Sequence, residues 1–208
     1  MDSISAITLT RAVSRFPSVE SLQKLPTYNA RAKLMYKKFY RLRNLIDEET
    51  DLRQVYCDVL KRKFTLESFN SRRKILLGVD SDIAKDSPDQ WRRIVNTYIF
   101  VFNSTVRPDE SPVPLVHEQD ASKQPPERLE KSILLNLLKI DLNTPNHLKL
   151  DISNSFLRNI SHVAEQMSSD LSKKKERQLF NLADPKHIAY RDHLLSVMRL
   201  NESVGLYL

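Results

Sequence analysis

Apolar residues recur at helical spacing in about six stretches of this chain, separated by polar or proline-rich segments. From near Asn29, Met35, Phe39, Leu42 and Ile46 fall at i, i+4, i+7 and i+11, one face of an α-helix. Lys37, Lys38, Arg41 and Arg43 lie largely off that face. The acidic run Asp47-Glu48-Glu49, with Thr50 and Asp51, reads as a turn and cap, since acids favour the N-terminus of the next helix. Leu52, Val55, Tyr56, Val59 and Leu60 form a second stripe that continues through Phe64 toward Phe69. Two amphipathic helices joined by a few polar residues are expected to pack antiparallel, apolar face to apolar face. Each large side chain so buried contributes about 1.5–3 kcal/mol before the entropy of ordering is subtracted, too little for the pair to stand alone.

A third helix supplies more core. Ser87 as N-cap, Pro88 at the first helical position and Gln90 three residues after the serine make a capping box. Trp91, Ile94, Val95, Tyr98, Ile99 and Phe102 follow at core spacing. Residues 106–126 hold five prolines and read as a long loop. A helix is expected from about Glu127 through Leu134, Leu135, Leu138 and Ile140, ending before Asn143-Thr144-Pro145. Leu148 to about Leu182 forms one helix or two, with Phe156, Ile160, Val163, Met167 and Leu171 inward. Asp184-Pro185 opens a last helix through Leu194, Leu195 and Met198. The expected fold is therefore all-α, a bundle of about five to six helices with an antiparallel helical hairpin near the N-terminus.

Composition narrows this further. The chain has 208 residues and only two glycines, Gly78 and Gly205, which disfavours tight hairpins and phosphate-cradling loops. At this length a single domain is expected over 29–208. Residues 1–28 are expected to be a flexible segment. Serine and threonine, Arg11, Arg15 and Lys24, and a face of Ile4, Ile7 and Val13 lean toward mitochondrial targeting. Asp2 and Glu20 are out of character with that, and a plain disordered tail is the alternative. No run of eighteen apolar residues suggests a membrane span.

The net charge of +7 is concentrated: thirteen Lys/Arg stand against six Asp/Glu between Asn29 and Lys74, and the other residues come out near neutral. Such a segment should meet nucleic acid, an acidic protein or an anionic membrane surface. Tyr36 and Tyr40 interleave with Lys37, Lys38, Arg41 and Arg43, offering flat rings beside forked donors. No catalytic, metal or cofactor site is expected. The two glycines cannot build a nucleotide-binding loop. The five histidines, His117, His147, His162, His187 and His193, have no metal-ligand spacing, and the lone Cys57 has no activating partner in the sequence. An enzyme is not expected.

Two resemblances sharpen the functional expectation. The segments Leu34-Met35-Tyr36-Lys37-Lys38-Phe39-Tyr40-Arg41-Leu42-Arg43, Asp51-Leu52-Arg53-Gln54-Val55-Tyr56 and Lys61-Arg62-Lys63-Phe64 resemble the fungal increased recombination centres protein nineteen family, also called required for respiratory growth protein four. That family ends in a Leu-Asn-Glu-x-x-Gly signature, matched by Leu200-Asn201-Glu202-Ser203-Val204-Gly205. The resemblance implies a mitochondrial, non-enzymatic role in mitochondrial DNA maintenance, respiratory growth, sporulation and genome integrity, and carries over no catalytic residue. The same hairpin is similar to the LYR-motif adaptors. Phe39-Tyr40-Arg41 stands where their Leu-Tyr-Arg stands, with phenylalanine replacing leucine, and Phe64 falls near their downstream phenylalanine. By that likeness the partner would be acyl carrier protein, contacted by Tyr40, Arg41 and Phe64 with Lys37 and Arg62 as charge partners. The residues expected to bind a partner are thus Lys37, Lys38, Tyr40, Arg41, Arg43, Arg62 and Phe64.

Overall fold

Every regular element among the described residues is an α-helix. The computed structural model describes residues 16–46, 50–66, 68–105, 129–151, 153–168 and 185–208. In chain order the helices are α1 (Val19–Gln23), α2 (Tyr28–Ile46), α3 (Thr50–Thr65), α4 (Phe69–Leu77), α5 (Pro88–Thr105), α6 (Leu129–Asn143), α7 (Asn146–Lys149), α8 (Ser155–Ser168) and α9 (Pro185–Val204). Residues 1–15, most of the acidic turn at 47–49, the proline-rich stretch at 106–126, and Leu171 with Lys173-Lys174-Lys175 lie outside the described residues.

The described residues thus hold nine helices rather than five to six, and three short ones account for the difference. In α1, part of the stretch expected to be flexible, Ser18 Oγ accepts from Ser21 N–H while Ser18 N–H donates to Ser21 Oγ, both at 3.1 Å. Five residues are too few to display a hydrophobic period, yet this reciprocal cap closes the turn and Leu22 is fully buried. α7 is a four-residue turn behind Pro145. α4 arises because the second helix stops at Thr65 instead of running on to Phe69. A new helix then starts after Ser68, whose backbone is non-helical at φ −124°.

These elements gather into two compact units. In the first, α2 packs on α3, α3 on α6, α6 on α5 and α5 back on α2, closing a four-helix arrangement, with α1 against α5. Met35, Phe39, Leu42 and Ile46 of α2 are all buried, as the sequence period requires. From Gln90 to Ser104, α5 is buried at every position except Arg92 and Arg93. A helix covered on all sides is apolar all round, which is why Tyr98 to Phe102 form an unbroken apolar run. Its start is held by Ser87 Oγ, which accepts from Gln90 N–H at 3.1 Å. The Gln90 side chain reaches one residue further back than a standard box, accepting from Asp86 N–H at 2.7 Å.

In the second unit α4, α8 and α9 pack pairwise. Phe69, Leu76, Leu157 and Met198 form its core, with Leu194, Leu195 and Tyr207 against them. Both glycines of the chain end helices here in the left-handed region, Gly78 at φ +65° after α4 and Gly205 at φ +66° after α9. The Leu200–Gly205 signature acquires a structural meaning. Asn201 is fully buried; its Nδ2 donates to Leu208 O at 3.0 Å and its Oδ1 accepts from Leu208 N–H at 2.9 Å. Gly205 lets the chain reverse so that Leu206 N–H reaches Asn201 O at 2.9 Å, and Tyr207 stacks on Phe69 at 4.1 Å. Glu202 pairs with Arg73 through two 3.1 Å contacts.

Candidate functional site

The basic segment Asn29–Lys74 does not form one element. α2 and α3 belong to the first unit and α4 to the second. Its charge is also less exposed than the sequence implies, because among the described residues acids from outside the segment meet at least four of its thirteen cations. Arg31 pairs with Asp86 at 2.7 Å, Arg62 with Asp141 at 2.6 Å, Arg73 with Glu202 at 3.1 Å and Lys74 with Asp80 at 2.8 Å.

What the segment presents outward is a row on α2. The helix starts after Pro26 and Thr27, whose Oγ1 accepts from Ala30 N–H at 3.2 Å. Arg31 ties this first turn down, donating to Leu25 O from Nε at 3.1 Å and Nη2 at 2.8 Å. With the buried stripe facing the core, Lys33, Lys37 and Arg41 are exposed on the other side. At four-residue spacing they stand roughly 6 Å apart along the axis. Lys33 was not among the residues singled out from sequence, although its i−4 relation to Lys37 is the signal that finds it.

Beside this row runs an aromatic ladder. Tyr36 and Tyr40 stack at 6.0 Å and 14°, and the Arg43 guanidinium sits 3.9 Å over the Tyr40 ring while Nη1 donates to Tyr40 O at 3.2 Å. Phe64 of α3 closes the ladder from below, edge-on to Tyr36 at 5.5 Å and Phe39 at 6.1 Å. The sequence-derived candidates therefore separate. Lys37, Tyr40 and Arg41 are exposed; Lys38 and Arg43 are half-buried; Arg62 is engaged with Asp141, and Phe64 packs among rings.

Tyr56 fixes α3 to α2, its buried hydroxyl donating to Phe39 O at 2.9 Å. Burial, reinforced by neighbouring Cys57 and Tyr98, pushes its pKa far up, so the hydroxyl keeps the proton it donates. Tyr56→Phe is expected to cost about 1 kcal/mol, the net worth of one such bond, read as a lower urea midpoint with an unchanged slope. Burial also pushes the Cys57 thiol up, against a smaller opposite pull from Arg43, which keeps it protonated at neutral pH. Among the described residues no cluster of three or more His, Cys, Asp or Glu could hold a metal ion, and no helix is long and apolar enough to cross a membrane.

Fold and surface together define an all-helical protein whose described polar features organise helix packing and present a cationic face on α2. The chain belongs to the increased recombination centres protein 19 family, whose model matches residues 5–208. No curated protein and no solved structure matches it significantly.

Proposed function

We propose that this protein is a non-enzymatic accessory factor of genome integrity that acts in the mitochondrion, supporting maintenance of mitochondrial DNA and through it respiratory growth and sporulation. It works by holding an anionic partner against the antiparallel α2–α3 hairpin. The observation that carries the reading is the exposed row Lys33, Lys37 and Arg41, left outward when α2 buries its apolar stripe. Membership of the increased recombination centres protein 19 family supports the genomic side of it.

A strain lacking the protein should lose mitochondrial DNA and fail on a non-fermentable carbon source. The wild-type chain should restore growth, and the K37E/R41E chain should not, although it accumulates to the same level. Normal growth of the deletion strain, with its mitochondrial DNA intact, overturns the reading.

A second reading, an adaptor for acyl carrier protein, is favoured by the exposure of Tyr40 and Arg41 on the same helix. It is disfavoured by Arg62 and Phe64, whose side chains are engaged within the first unit. It requires a carrier protein to co-purify with the chain and to be lost in Arg41→Ala.

A further inference from the structure

We infer that the anionic partner of the α2 face is the sugar-phosphate backbone of duplex nucleic acid, contacted without regard to base sequence by Lys33, Lys37 and Arg41. This rests on the reading of the α2 face just given and names its partner.

Three observations select duplex backbone from the anionic candidates. An acidic protein helix would need an apolar centre to dock against, since charged groups are depleted at the heart of protein interfaces. On α2 the large exposed hydrophobics are Leu34 at 36% and Tyr40 at 39%, and Arg43 already covers the Tyr40 ring. On a membrane surface three cations alone contribute only about 1 kcal/mol each, and firm attachment adds the apolar face of the helix entering the headgroup boundary. That face is committed to the core: Met35, Phe39, Leu42 and Ile46 are at most 5% exposed. A single strand is normally gripped by bases stacking on open aromatic rings. Of the two tyrosines beside the row, Tyr36 is half-buried with Phe64 edge-on to it, and Tyr40, although 39% exposed, already carries Arg43 over its ring at 3.9 Å.

What is left is a row of three exposed cations about one turn apart on α2, a spacing that suits phosphates. Backbone contacts of this kind position a protein on a duplex and carry no sequence information. The Tyr36–Tyr40–Arg43 ladder then has a positioning role: it stiffens the flank of the row and does not itself read bases.

The test uses the full chain and fluorescence anisotropy with three probes, a duplex of scrambled sequence, its single strand, and vesicles containing anionic lipid. Duplex should be retained in preference to both others, equally for unrelated sequences. Three phosphate contacts give a log–log salt slope of about −2.7, so affinity should fall roughly fortyfold between 50 and 200 mM salt. Lys37→Gln should make the slope shallower by about 0.9 and Lys37→Arg should restore it. K33E/K37E/R41E should abolish retention while its helical circular dichroism and melting stay those of the parent. No duplex retention at low salt, unaltered retention by the triple variant, or preference for single strand or vesicles overturns the inference. The same triple variant separates this from failure of the accessory-factor reading. If it fails to support respiratory growth although the parent binds no duplex, the face has another anionic partner, and only the present inference falls.

Discussion

Asp86→Ala is expected to melt the first unit at temperatures where the parent chain is folded, whereas Asp86→Asn should cost only about 1 kcal/mol. One carboxylate oxygen, Asp86 Oδ1, accepts from Arg31 Nη1 and from Trp91 Nε1, each at 2.7 Å. Trp91 is fully buried and the Arg31 side chain is 13% exposed, so neither donor finds water easily when the acceptor goes. An orphaned buried donor costs about 1–3 kcal/mol. Loss of the partner of a buried charge costs more, but the Asp86 side chain is itself 37% exposed and the ion pair is partly screened. Alanine must also adopt the left-handed backbone of this position, φ +64°, at about 1–2 kcal/mol. Together these place the loss at about 4 kcal/mol, a large fraction of what a domain of this size has. Asparagine retains the carbonyl oxygen and tolerates left-handed backbone, which is why it should be mild. Thermal melts followed by circular dichroism check the pair. Because Arg31 anchors the first turn of α2, Asp86→Ala should also abolish retention of an anionic partner without altering any of the three exposed cations. Equal melting of the two variants would mean that Asp86 is not the node described.

The long helices were legible because their buried positions keep a helical period. Met35, Phe39, Leu42 and Ile46 were read inward and are buried. The cap at Ser87 was readable too, since its residues are adjacent in sequence. Two kinds of feature were not. The first is a helix covered on every side: Tyr98 to Phe102 form an unbroken apolar run because no face meets water, a run that by itself fits a strand as well, and the Ser87-Pro88 cap with the preceding helical period decided for helix. The second is long-range pairing. Counting charges over Asn29–Lys74 gave a basic hairpin, but Asp86, Asp141, Asp80 and Glu202 lie outside that window and meet Arg31, Arg62, Lys74 and Arg73. Net charge per segment is a property of the chain; surface potential depends on which acids the fold brings back. Of the seven candidate residues, Arg62 is met by such an acid, Lys37, Tyr40 and Arg41 are exposed, and Lys33 joins them as a new member of the row.

The same pairing gives the C-terminal stretch Leu200–Gly205 an architectural role. Glu202→Ala is expected to destabilise the second unit by about 3 kcal/mol, near the low end of the range for stranding one member of a buried ion pair. The Arg73 side chain is 10% exposed and that of Glu202 27%, so the guanidinium stays inside when its partner is removed. The Ser81 carbonyl and its Oγ, at 3.2 Å, still accept from Arg73 Nη1, which limits the damage. Glu202→Gln, keeping one acceptor, should fall between. The decisive variant is the double R73M/E202L, in which charge is replaced by apolar volume. Buried pairs exchanged in this way are often neutral in stability, so the double should recover most of what either single loses, a coupling measurable by a double-mutant cycle. If Glu202 serves only to hold α4 against α9, the recovered double supports respiratory growth as well. A double that is stable but inactive would instead show that the Leu200–Gly205 stretch contacts a partner, and the functional face would have to be sought in the second unit.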